Sequence, residues 1–108
     1  MKIPMAHKAE VSEEKLRGYL LSAEHAIGRY KARFFSRLGF IDSNWQDLRD
    51  RLVELAAGEA ELGAVTEYGQ KYLVFGRLEG PVGARDVTVV WMVLTGDDIP
   101  RLVTVYPR

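Results

Sequence analysis

The stretch Lys71–Leu94, KYLVFGRLEGPVGARDVTVVWMVL, reads as two strands and the turn between them. In Lys71–Glu79, Tyr72, Val74 and Leu78 alternate with Leu73, Phe75 and Arg77, the two-residue period of a strand. Gly80-Pro81-Val82-Gly83 is a strong turn signal. Arg85–Leu94 carries β-branched and aromatic side chains on both faces, Val87, Val89, Trp91 and Val93 against Val90, Met92 and Leu94. Two apolar faces predict a central strand.

Downstream, Gly96-Asp97-Asp98 turns the chain, and Arg101–Tyr106 supplies a closing strand. Strict alternation sets Leu102, Thr104 and Tyr106 on one face and Arg101, Val103 and Val105 on the other. Upstream, the period changes near Gly63, and Ala64–Tyr68 is expected as a short first strand before a Gly69-Gln70 turn. The connections are short, so the C-terminal part is an antiparallel meander of three to four strands.

The N-terminal part has the helical period instead. Residues 1–11 read as an extended leader, and residues 12–108 as a single domain. Ser12, followed by Glu13 and Glu14, is a helix start. Leu16, Tyr19 and Leu20 give that helix its apolar face, to about Leu21. Ser22 breaks it and caps the next turn, which leaves His25 at the start of a second helix. From Ile27 to Leu38 the residues Ile27, Tyr30, Phe34, Phe35 and Leu38 form one broad apolar arc, with Arg29, Arg33 and Arg37 as a separate stripe. Gly39 is the expected C-cap, with Phe40 packing back. Ser43 and Gln46 fit a capping box for a third helix carrying Trp45, Leu48, Leu52, Leu55 and Ala56, ended by Gly58. About three helices precede the strands, so the expected class is α+β, with the helices on one sheet face. Leu73, Phe75, Val90 and Met92 then need cover on the other, from a second element or a homodimer partner.

Composition narrows the function classes. The chain has 108 residues, no cysteine and two histidines, so disulfides, thiolate chemistry and a dedicated zinc site are not expected. No cofactor is expected either. No apolar run approaches a membrane span, and the N-terminus lacks the apolar core of a signal peptide. The expected location is cytoplasmic, with a secreted effector as the alternative. Net charge is zero but uneven: residues 1–39 carry eight Lys/Arg against four Glu, and residues 40–68 two against seven acids. A strongly basic nucleic-acid binder is not written here, but a local basic patch is allowed.

Lys31 falls inside the apolar arc of the second helix, four residues from both Ile27 and Phe35. Its plain reading is a snorkelling lysine. The sharper one is an ammonium pointed into a cleft over the last strand, near His25 and the hydroxyls of Thr104 and Tyr106. A neutral imidazole removes a proton from a hydroxyl, and cations with hydroxyl donors stabilise a phosphorane-like transition state. Those are the parts of a metal-independent ribonuclease that uses the RNA 2′-OH as nucleophile, with Arg29, Arg77 and Arg85 on phosphate and Asp86 able to orient a base. Each residue also has a structural reading: a capping histidine, a sheet-forming threonine and tyrosine, solvated arginines, and an aspartate in local hydrogen bonding beside a turn. No phosphate-binding Gly-rich loop and no Ser nucleophile elbow is present.

KLRGYLLSAEHAIGRYKARFFSRLGF followed by YGQKYLVFGRLEGPVGARDVTVVWMVLTGDDIPRLVTVYP resembles a family of small bacterial domains of unknown function, over roughly residues 15–107. The pattern is K-L-x-x-Y-L-L, H-x-x-G-R-x-K, F-F-x-x-L-G-F, Y-G-x-K-Y, G-P-x-G and P-R-L-V-T-x-Y-P. Ala26, where that family usually has proline, and Ala84 depart from it. The same order of elements is similar to the barnase–EndoU–colicin–RelE ribonuclease toxin group. That similarity implies His25, Lys31, Thr104 and Tyr106 as catalytic groups, with Arg29 on phosphate. The leading expectation is therefore a toxin-like ribonuclease acting on RNA. The alternatives are an immunity or antitoxin-like partner, motivated by the acidic segment Asp42–Glu67, and RNA binding without turnover.

Overall fold

The computed structural model describes residues 1–108. Strands β1 (Ala60–Val65), β2 (Gly69–Glu79), β3 (Ala84–Leu94) and β4 (Arg101–Pro107) form one antiparallel sheet in that order. β2 and β3 pair without interruption from Gly69↔Leu94 to Glu79↔Ala84. β3 is central, as its two apolar faces require. The fold is α+β, with the helices preceding the sheet in the chain.

β1 starts earlier than the sequence suggested, at Ala60, and the turn that follows is Thr66–Tyr68 rather than Gly69-Gln70. Thr66 decides it. Its backbone exchanges hydrogen bonds with Gly69, and its Oγ1 accepts from the Tyr68 N–H at 3.1 Å. A side-chain hydroxyl thus closes the turn from three residues ahead of the glycine.

The first helix, α1, is one α turn at Glu13–Lys15 that widens into π geometry over Leu16–Leu20. Ser12 caps it, accepting from the Lys15 N–H at 3.0 Å. α2 spans Gly28–Leu38 and α3 Trp45–Leu55. Gly39, at φ 95, ends α2, and the Phe40 N–H donates back to the Phe35 carbonyl at 3.0 Å. The turn into α3 is held by Asn44, not by Ser43 and Gln46. Its Oδ1 accepts from the Ile41 N–H at 2.7 Å and its Nδ2 donates to the Gly39 carbonyl at 2.8 Å.

Leu16, Leu20, Phe35, Leu48 and Leu52 from the helices meet Val74, Leu78, Val87, Val89 and Trp91 from the sheet in a single core. Each such side chain contributes about 1.5–3 kcal/mol on burial. The indole N–H of Trp91 is buried with no hydrogen-bond partner, a cost of about 1–3 kcal/mol that the ring's packing has to offset. The leader belongs to this core. It is extended apart from one 3-10 turn at Ala6–Lys8, Ile3 is only 2% exposed, and Glu10 pairs in parallel with Arg101 on the outer edge of β4.

The helices and leader share one core with one sheet face, and no core residue comes from the other, where Val90 and Thr104 are nonetheless buried. No helix is long and apolar enough to cross a membrane.

Candidate functional site

The segment between α1 and α2 is short of regular structure, so its backbone donors need side-chain partners. Ser22 Oγ accepts from the N–H groups of Glu24 and His25, at 3.3 and 3.2 Å. His25 Nδ1 accepts from those of Ile27 and Gly28, at 3.1 and 3.0 Å. His25 is therefore the cap of α2, at the helix start where its position in the sequence set it. That role uses the Nδ1 lone pair, so the capping imidazole carries its proton on Nε2. What it offers outward is an N–H donor. Its ring stands edge-on to Tyr19 at 5.0 Å.

α2 is held tightly against α1 at this end. A Cβ added at Gly28 would lie 1.9 Å from the Tyr19 carbonyl oxygen, so only glycine fits. Ile27 and Tyr30, expected in the apolar arc, are instead 62% and 59% exposed. Phe34, Phe35 and Leu38 remain buried.

Lys31 sits on the buried side of that helix, and its ammonium goes to the edge of the sheet. Nζ donates to the Val105 carbonyl at 2.8 Å and stands 4.4 Å from the centre of the Tyr106 ring. No strand pairs with the outer edge of β4. The leader occupies that edge near Arg101, through Glu10 N–H to the Pro100 carbonyl and Leu102 N–H to the Glu10 carbonyl, and Lys31 occupies it at Val105. Partial burial pushes the Lys31 pKa below the usual lysine range.

The closing strand does not keep strict alternation. Its register slips between Val90↔Thr104 and Trp91↔Leu102, which leaves Val103 as an extra residue. This is a β-bulge. Leu102 and Val105, three apart, both enter the core, while Thr104 pairs with Val90 and Tyr106 with Thr88. Leu102 and Thr104 therefore do not share a face. Thr104 is 7% exposed and Tyr106 50%. The Thr104 Oγ1 lies 3.3 Å from the Tyr19 Oη.

His25, Lys31, Thr104 and Tyr106 thus gather around the start of α2 and the far half of β4, but in two separate contacts. Lys31 meets Tyr106 directly, and His25 reaches Thr104 only through Tyr19. Tyr19 was legible only as an apolar residue of the first helix; nothing in its spacing marks the link. Of the arginines, Arg29 stacks on Tyr30 at 5.0 Å and donates to its hydroxyl. Arg85 lies 5.8 Å over the Phe34 ring. Arg77 pairs with Asp86 at 3.1 Å.

Charge separates this region from the rest. The ten ion pairs of the chain engage the N-terminal amine, Lys2, Lys8, Arg17, Arg49, Arg51, Arg77 and Arg101. None involves Arg29, Lys31, Arg33 or Arg37, the four cations of α2. A groove of about 340 Å³ runs beside the stripe, lined by Arg29, Arg33, Ser36 and Asp42 among others. Asp42 is itself occupied: the Arg17 guanidinium, at 2.9 Å, holds its carboxyl below the usual range. No three His, Asp or Glu side chains come together as a metal site.

The model of a family described as Domain of unknown function (DUF6883) matches residues 2–108. The kinship with a family of uncharacterised domains expected from the motifs is met; the similarity to ribonuclease toxins is not shown by it. No curated protein and no solved structure matches the chain.

Proposed function

The chain belongs to that family, and from this premise we propose that it binds RNA through the exposed side of α2. One observation carries the reading: four cations on a single eleven-residue helix have no carboxylate partner, in a chain of zero net charge that pairs most of its other cations internally. Arg29, Arg33 and Arg37 are spaced roughly 6 Å apart along the axis, a repeat suited to successive phosphates of an extended strand. Arg85 extends the patch beside Phe34. The exposed rings of Tyr30 and Tyr106 next to these charges suit base stacking, the other half of single-strand recognition.

A labelled single-stranded RNA measured by fluorescence anisotropy tests this. Affinity is expected to fall steeply with rising salt, as counterion release requires. Replacing Arg29, Arg33 and Arg37 together by Glu should lower it by at least about tenfold. Binding insensitive to salt, or unchanged in that variant, rejects the reading.

A second reading adds turnover, and the contact of Lys31 with Tyr106 favours it. An ammonium beside an exposed phenol is a donor pair for a phosphate oxygen, and the His25 Nε2–H adds a further hydrogen-bond donor at the start of α2. Thr104 is too buried to meet a substrate directly, so its role here is to hold Tyr19. RNA incubated with the protein in EDTA separates binding from cleavage: products absent from His25→Ala with Lys31→Ala support chemistry at these groups, and no products from the wild type leave binding alone. The immunity or antitoxin alternative has less behind it. Of the seven acids in residues 40–68, Asp42, Asp50, Glu54 and Glu59 are already ion-paired within the chain.

A further inference from the structure

The open face of the sheet carries a row of side chains that crosses three strands. Thr88 on β3 pairs with Phe75 on β2 and with Tyr106 on β4. Side chains paired across a sheet share a face, so two aromatic rings flank one small hydroxyl residue, roughly 10 Å apart across two strand spacings. The face they stand on is opposite the core: Val74 and Val87, their neighbours in sequence, point into the helices. In the next row Leu73 and Val90 are apolar, and Thr104 beside them is buried with its hydroxyl against that of Tyr19.

Each ring is already covered by a cation. The Arg108 guanidinium lies 4.3 Å from the Phe75 centroid, and the Lys31 ammonium 4.4 Å from that of Tyr106. Neither cation has an ion-pair partner. The nearest carboxylate of the face, Asp86, is taken by Arg77 at 3.1 Å. An apolar surface with flat rings, unneutralised cations on the rings and a hydroxyl between them is complementary to bases joined by phosphates.

We infer that this face is a stacking platform for single-stranded RNA, with one base on Phe75 and one on Tyr106. Arg108 and Lys31 close over the bases or their linking phosphate. The Thr88 hydroxyl meets the ribose 2′-OH between them, which is the group that separates RNA from DNA. The inference rests on the RNA-binding reading above and extends it: α2 holds the phosphates of one segment, and the strand then passes over the β4 edge at Lys31 onto the sheet.

The test compares binding of a short fluorescein-labelled oligouridine to the wild type, Phe75→Leu, Tyr106→Leu and Thr88→Val, with folding checked by circular dichroism. Leucine keeps the apolar surface and removes the ring. Each ring substitution is expected to weaken binding about tenfold, the loss of one stacked base, and Thr88→Val to narrow the preference over oligodeoxyuridine. If ring variants bind like the wild type while the α2 charge variant does not, the platform is wrong and RNA binding by α2 stands. If the wild type does not bind at all, both fall together. Equal affinity for the deoxy strand overturns the assignment to RNA. A dimer in solution that Phe75→Leu dissociates without RNA also overturns it, by giving the face to a second copy.

Discussion

The two faces of the sheet are written by the same strands, with apolar residues on both, and meet different fates. On one, Val74, Leu78, Val87, Val89 and Trp91 are sealed by three helices and a leader. On the other, Val90 and Thr104 are buried, whereas Leu73, Phe75, Thr88 and Met92 are only half-buried, with Arg108 over the Phe75 ring. An apolar strand face is therefore not a core until something is laid over it. That face keeps rings and aliphatic side chains partly at the surface, bordered by Lys31 and Arg108, which have no ion-pair partner, and that combination is characteristic of a surface used for binding.

The contrast is broken most directly by truncating one phenylalanine on each side. Phe35→Ala, in the sealed core, should cost about 3–5 kcal/mol by chemical denaturation. Phe75→Ala, on the open face, should cost about 1 kcal/mol or less. If the two costs match, a further layer covers the open face in solution and the asymmetry is false.

A smaller effect probes the boundary between the faces, where Tyr19 and Thr104 meet. Tyr19→Phe removes one hydroxyl contact at 3.3 Å to a 7%-exposed threonine and should destabilise by about 1 kcal/mol, measured as a shift in urea midpoint. An unchanged midpoint would show that each hydroxyl is satisfied by water instead.

The smallest effect concerns Lys31. Because partial burial lowers its pKa, it should lose its proton at a lower pH than the other lysines, seen by NMR after ¹³C reductive methylation. The sign for folding follows. Between the lowered folded value and the ordinary lysine value the unfolded chain binds the proton more tightly, so this group's penalty, present in full at neutral pH, is relieved as pH rises through that window. A Lys31 that titrates with the others would show an ammonium free of the β4 edge.

Some of this was open to reading in the chain itself. Period-two patterning in Lys71–Leu94 gives the hairpin and its central strand, Gly39 the end of α2, and Ser12 the first cap, because each depends on neighbours within a few residues. Lys31 stands out for the same reason: one helical turn in either direction is apolar, at Ile27 and Phe35. His25 was likewise set at the start of α2, though its lone pair proves to be engaged by the backbone.

What lay beyond the sequence depends on segments distant along the chain. The Val103 bulge separates Thr104 from Leu102, and residue types alone do not announce an insertion in a strand. The carbonyl that receives Lys31 is 74 residues away, and the link from Tyr19 to Thr104 spans 85. Local periodicity fixes which residues turn inward, since helix and strand geometry repeats over a few positions. Only the packed chain decides what they face, because edges, bulges and uncovered sheet surfaces arise when whole elements are laid against one another.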